Sequence, residues 1–389
     1  MTGSARPHQE PLQSSLAAIT ARMRSTILRA LASRALIDRR HVSCALATAD
    51  ARIVQIDTPA RLGISSAVLH SVLAAFNGKL SEGDIVVTND PFSGGTHLQD
   101  VAWVRPICAS GILLGYSIAQ VPLADIGGNA LGGYDPRALE IWAEGVRVTP
   151  VKCYRGGSLQ RDAVMMLLLN SRLPQLIEKD LEIIVGALIQ SERDVTALAD
   201  RHTATGYTHA VHELLTATEA HTRKALQGLP DGTWHGESAP IHSCLEEREF
   251  RVVARMTVTN GAVTLDFSGS AATAKGFINT TASATTAAAL VPFHGLWPTL
   301  SVNSGVFPPF SFVIPERTLV NATVPVSVGW SSYHPSLAIA QAVTHCLAQA
   351  QRTPIAMQHI MALFSPPTLP FAVTGCGRLG CPFPSRPQQ

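Results

Sequence analysis

Helix-patterned sequence from Ser158 to Leu226 stands between two β-patterned regions, and this order is the strongest constraint on the fold. Runs of strands set apart from runs of helices describe a mixed α+β chain. Within the block, Ser158 is a candidate N-cap ahead of Val164, Leu167 and Leu168. Pro174 breaks that first helix. A second is expected over 175–201, with Leu176, Ile177, Leu181, Ile184, Val185, Leu188 and Val195 on one face, and a third over 207–226.

Ahead of the block, Leu12, Leu16, Ile19, Met23, Ile27 and Leu31 recur at helical spacing and predict an amphipathic helix over 12–36. Short extended segments follow near Cys44–Leu46 and Arg52–Ile56, then a helix over 65–76. Ile85–Val87, Val101–Val104 and Ile112–Val121 read as strands, and 126–157 as glycine-rich loop. After the block, a second β region opens near Cys244. Apolar residues alternate on both sides of Asn260-Gly261, the strongest short hairpin signal. A helix over 280–290, a strand over 312–314 and a helix over 336–350 complete this region. The expected organisation is an N-terminal α/β region (1–157), a helical block (158–230) and a second α/β region (231–365). The tail (366–389), with six prolines and no acidic residue, is expected to be non-globular.

Composition narrows the function classes. At 389 residues and 46% hydrophobic the chain has material for a sizeable core. Thirty Lys+Arg against 28 Asp+Glu leave a net charge of +2, which points neither to nucleic acid nor to an acidic partner. Aromatic residues at 6% argue against base stacking. Seven dispersed cysteines suit reduced thiols and a cytoplasmic protein. The polar start shows no secretory signal, and no apolar run is long enough to span a membrane. There is no P-loop and no G-x-S-x-G elbow. The G-x-G-x-x-G at 375–380 has nine residues after it, too few for a dinucleotide site. Cys376 and Cys381 lack the partners that zinc requires.

One segment carries chemistry. Thr88 to Asp100 reads TNDPFSGGTHLQD between two short strands. Asn-Asp-Pro sets a turn, and Gly94-Gly95 permits positive φ or a close backbone approach. His97 and Asp100 then project from one short segment. That pair suits a divalent metal such as Zn²⁺ or Mn²⁺, a His–Asp acid/base couple, or a structural loop with a hydrogen-bonded histidine.

This segment resembles the hydantoinase B family: B-type subunits of ATP-dependent N-methylhydantoinases and caprolactamases, matching subunits of acetone and acetophenone carboxylases, and the C-terminal half of 5-oxoprolinases. The similarity continues in order through Asp38–Leu46, Ala124–Gly128, Glu144–Arg147, Pro150–Gly157, Leu265–Ser270 and Gly276–Asn279. Family members run further than this chain, so a C-terminal truncation is expected. The resemblance implies a metal bound by the residue after the Arg-Arg pair, by the histidine and aspartate of the Gly-Gly-Thr-His block, and by a His-His pair before Ala-Asp-Ile-Gly-Gly. Here these positions hold His41, then His97 and Asp100, then Pro122 and Leu123, which cannot ligate. The expected metal set is therefore His41, His97 and Asp100. The expected catalytic set is His97, Asp100 and Asp125, with Asp125 as a substitute donor.

The function implied is a B-type subunit of an ATP-dependent cyclic-amide hydrolase opening a hydantoin, 5-oxoproline or lactam ring. A separate A-type subunit would bind ATP and activate the amide oxygen, giving a hetero-oligomer. The alternatives are a B-type subunit of an ATP-dependent ketone carboxylase, and a non-catalytic, truncated family member.

Overall fold

The computed structural model describes residues 9–352, with side chains from Leu12 onward. The expected tail, with Cys376, Cys381 and the glycine motif at 375–380, lies outside the described residues. In chain order the elements are α1 (Gln9–Ala30), β1 (Ser43–Thr48), β2 (Ile53–Ile56), α2 (Leu62–Ala75), β3 (Ile85–Thr88), β4 (Asp100–Ala109), β5 (Ile112–Pro122) and the short α3 (Ile141–Glu144). Then come β6 (Val151–Arg155), β7 (Ser158–Leu159), α4 (Arg161–Leu169), α5 (Pro174–His202) and α6 (Ala204–Leu226). β8 (Gly232–Glu237), β9 (Val253–Thr259), β10 (Ala262–Asp266), α7 (Ala282–Leu296), β11 (Phe310–Val313) and α8 (His334–Gln351) complete the described chain.

β1–β7 form one antiparallel sheet in the order β2-β1-β5-β4-β3-β6-β7. β8–β11 form a second, in the order β11-β10-β9-β8, in which β10 and β11 run parallel. The pleat sends alternate side chains of the first sheet to opposite faces. Ala45, Ala47, Val86, Ala102 and Val104 join a core with α2, α7, α8 and the second sheet. Cys44, Leu46, Ile85, Val87, Val101 and Trp103 join another with α1, α5 and α6. Both faces are buried, so these strands read as continuous apolar runs rather than clean alternation.

The six stripe residues of α1 are all buried. The helix ends at Ala30, short of the expected 36, where the Ala32 and Ser33 amides donate to the Asp180 carboxylate at 2.7 and 3.2 Å. Pro174 occupies the first turn of α5, where its missing N–H costs nothing. Asn260 and Gly261 both adopt positive φ, 50° and 75°, the geometry of a two-residue hairpin.

Three expectations need correction. Ser158 caps no helix: it lies in β7, closed against β6 through Gly156-Gly157, and α4 starts at Arg161. The stretch read as loop contains β6 and α3. The second sheet starts with β8, ahead of Cys244; the inward positions of this edge strand are two glycines and Trp234, so it lacks the apolar alternation that marks a strand. Among the described residues, no helix is long and apolar enough to cross a membrane.

Candidate functional site

The Thr88–Asp100 segment is held from within and from outside. The Asn89 side chain donates to the Leu98 and Val146 carbonyls at 2.8 and 2.9 Å and accepts from the Val148 amide at 2.6 Å. Asp90 accepts from the Phe92 amide at 3.1 Å and the Ser93 hydroxyl at 3.0 Å. Gly94 has φ +96°, and a Cβ there would meet the Ala67 backbone carbonyl carbon at 2.6 Å. The double glycine thus lets the loop lie against the α2 backbone. From the N-terminus of α7, the Thr281 and Ser283 hydroxyls donate to the Gly95 carbonyl at 2.8 and 2.7 Å.

This scaffold brings His41, His97 and Asp100 together. His97 is fully buried, and its ring lies 5.6 Å from that of His41, centroid to centroid, edge to face. Asp100 accepts from the buried Arg61 guanidinium and from the Thr96 hydroxyl at 2.6 Å. Burial alone would raise the Asp100 carboxyl; Arg61, the two imidazoles and Thr96 instead hold it below its ordinary value. An ionised carboxylate only accepts, so the single Thr96 proton goes to Asp100. The Thr96 oxygen then accepts from Nδ1–H of His97 at 3.0 Å. That assigns the tautomer and leaves the lone pair on Nε2.

Nε2 of His97, Nδ1 of His41 and Oδ1 of Asp100 are all buried and have no partner. A buried polar atom without a partner calls for a reacting group or water beside it. Burial pushes the His97 imidazole down to about 4, with Asp100 opposing and Arg61 adding to the shift. Burial and then Arg61 push His41 down to about 3. Both rings are therefore neutral bases at neutral pH.

Two tyrosines cover the pair. The Tyr333 ring is 5.0 Å from His41 and 6.4 Å from His97, and Tyr134 is 6.1 Å from His97. Their hydroxyls meet at 2.8 Å, and Tyr333 donates to Asp38 at 3.3 Å. Burial would raise the Asp38 carboxyl, but Arg40, through side chain and backbone, holds it down to about 2.

The expected Asp125 has partners of its own. It is buried, but its oxygens accept from the Arg172 amide (2.6 Å), the Arg172 guanidinium (2.7 Å) and Ser171 (3.2 Å). That carboxylate ties its loop to the α4–α5 junction.

The donors were tested against the expected Zn²⁺ or Mn²⁺. Their chemistry suits such an ion, and each has an unpartnered atom. As arranged, however, the described residues contain no group of three or more His, Cys, Asp or Glu placed to hold a metal. Pro122 stands directly opposite Asp100 in the β4–β5 ladder, and Leu123 is buried in the core. Arg61 already neutralises Asp100. The present donors, among the described residues, do not fit a metal cage.

Sequence reasoning missed Arg61, Thr96, Tyr134, Tyr333 and Glu144. Thr96 and Glu144 lie in quoted blocks, yet nothing in their spacing shows their partners. Glu144 is buried and accepts from Ser327, from the Gly329 amide at 2.6 Å and from the Val328 amide at 3.3 Å. It thereby anchors the segment that leads to Tyr333. Burial raises its carboxyl to about 7 despite those donors. Lys152 pairs with Asp84 at 2.6 Å.

Comparisons with known proteins bear on the family and the fold. The family model described as Hydantoinase B/oxoprolinase matches residues 9–366. The caprolactamase subunit beta of Pseudomonas jessenii is 34% identical over 180 residues, covering 46% of this chain and 31% of that protein. The crystal structure of the ATP-dependent caprolactamase from Pseudomonas jessenii superposes with a TM-score of 0.82 at 26% identity, covering 92% of this chain and 62% of that one. The nucleotide-free acetone carboxylase structure superposes with a TM-score of 0.77 at 18% identity, covering 89% and 48%, a likeness of fold. The chain thus spans less than two thirds of each of these proteins. With most of its length matched by the family model, the chain belongs to the Hydantoinase B/oxoprolinase family.

Proposed function

We propose that this chain is the B-type subunit of a cytoplasmic, ATP-dependent cyclic-amide hydrolase, paired in a hetero-oligomer with a separate ATP-binding A-type subunit. The observation that carries the reading is the buried, unpartnered Nε2 lone pair of His97 beside an ionised Asp100.

A ring amide resists water because resonance delocalises the nitrogen lone pair into the carbonyl. Phosphorylation of the amide oxygen by the partner removes that protection. Water held between His97 Nε2 and Asp100 Oδ1 then adds to the carbonyl carbon as Nε2 takes its proton. An imidazole this weakly basic suffices for so activated a carbon, and the Asp100 charge favours the imidazolium that forms. The adduct collapses as the C–N bond breaks, the imidazolium returning its proton to the ring nitrogen, and the acyl phosphate that remains is hydrolysed by a second water to the carboxylate and inorganic phosphate. Tyr134 and Tyr333 exclude bulk water and present aromatic faces to the ring.

The test is to purify the chain with an A-type partner and assay ATP-dependent opening of ε-caprolactam, hydantoin and 5-oxoproline. Turnover is expected from the complex, with none from the chain alone, and His97→Gln should lower it at least about 100-fold. Turnover by the isolated chain, or an active His97→Gln complex, overturns the reading. Bicarbonate-dependent ATP consumption with a ketone would identify a carboxylase subunit instead. Pro122, placed where a donor would face Asp100, favours the second reading of a non-catalytic member; a correctly assembled but inert complex would establish it.

A further inference from the structure

His97 is fully buried, so a substrate reaches Nε2 only if part of its cover moves. That cover is not held evenly. Asp100 opens β4 and Arg61 leads into α2, and both are buried. Tyr134 sits instead on an irregular segment, 129–140, that is tied at its two ends. The Asn129 amide donates to the Ala143 carbonyl at 2.7 Å, and Glu140 bridges to Val326. Over 130–138 the hydrogen bonds close on the segment itself. The Gly133 amide donates to the Ala130 carbonyl and the Ala138 amide to the Asp135 carbonyl, each at 3.0 Å. The Asp135 carboxylate accepts from the Arg137 amide at 2.9 Å and the Asn129 side chain at 3.4 Å. Among the described residues, the one bond from this stretch to the rest of the chain joins the Tyr134 and Tyr333 hydroxyls. Packing adds little, because Leu131 and Leu139 are 59% and 58% exposed. A loop with few buried apolar contacts and its own internal bonds opens at low cost and moves as a unit. Gly132 and Gly133, at φ +77° and +71°, stand immediately before Tyr134 and can take up the rotation.

We infer that 129–140 is a lid, latched by the Tyr134–Tyr333 contact, that swings open to admit a small ring substrate to His97 and closes to shut out bulk water. Ionised Asp38 accepts the Tyr333 proton, so in the latch Tyr134 donates and the Tyr333 oxygen accepts. The inference rests on the reading of His97 as the residue a substrate must reach, and not on which reaction follows.

The full chain would be pulsed with diethyl pyrocarbonate, which acylates neutral imidazoles. Acylation of His97 would be read by peptide mass spectrometry against the exposed His209. His97 should react slowly but measurably in the natural chain. Tyr134→Phe keeps the ring and removes the latch, and should speed His97 about 2- to 10-fold while leaving His209 unchanged. Tyr333→Phe should speed it at least as much, and the double variant no further, because either change removes the same bond. Urea below the unfolding transition should leave the natural rate nearly flat, since a lid exposes little surface. Three outcomes overturn the inference: no acylation of His97 in any of these chains, an unchanged rate in either single variant, or a rate that climbs with urea as global unfolding does. Labelling needs no turnover, so an inert complex would sink the proposed hydrolase and leave the lid standing, while a lid that never opens shows in the labelling alone.

Discussion

Arg61 and Asp100 are both buried and face each other, so each charge depends on the other. Replacing Arg61 by Met leaves an uncompensated buried carboxylate and should cost about 3–5 kcal/mol in urea unfolding. Adding Asp100→Asn removes the stranded charge and should restore part of that loss; a double variant as weak as the single would show that the pair is not coupled. The same contact bears on metal affinity. Residues facing each other across an antiparallel ladder have Cβ atoms about 4.5–5.5 Å apart on one face. Pro122→His therefore sets an imidazole beside Asp100, within reach of His97. After one equivalent of Zn²⁺ and gel filtration, the natural chain should retain well under one ion and Pro122→His distinctly more. Full retention by the natural chain would show that His41, His97 and Asp100 close around the ion unaided.

Among the elements, the short α3 and the strap at 327–329 are joined by one carboxylate, and that joint responds to pH. Folded, Glu144 titrates at about 7; unfolded, it returns to its ordinary 4.5. Between these values the folded chain keeps a proton that the unfolded chain has released. The stability from this group is thus full below about 4.5 and is lost as pH rises to about 7, a swing on the order of 3 kcal/mol. Unfolding free energies at pH 5 and pH 8 should show that fall in the natural chain and a flatter profile in Glu144→Gln. Such a joint is invisible in sequence, because Glu144 and Ser327 are 183 positions apart. Arg61 and Asp100, 39 apart, are equally silent. What could be read was local: the α1 stripe, the long face of α5, the Asn260-Gly261 hairpin, and the glycine loop that delivers His97 and Asp100. Local signals also mislead. A serine ahead of an apolar run imitates a helix cap at Ser158, and an edge strand such as β8, whose inward positions are Gly232, Trp234 and Gly236, imprints little apolar period.

For the molecule as a whole, the first sheet is a wall shared by two cores. One of them contains Ala45 and Ile118 from that sheet together with Phe250, Phe267 and Leu347 from beyond the helical block. Contacts this mixed couple the unfolding of the two regions, since neither can open without exposing the other's apolar face. Phe267 is completely buried there. Truncating it to Ala should cost about 3–5 kcal/mol. If the regions form one cooperative unit, hydrogen exchange will show the slowest amides of β1 and β5 losing protection by the same free energy as those of β9 and β10. If the second sheet opens alone, the loss will be confined to β9 and β10. The shared core requires the first outcome, because the loop bearing His97 is clamped by α7 from the far region, and a site so built is only as stable as the interface behind it.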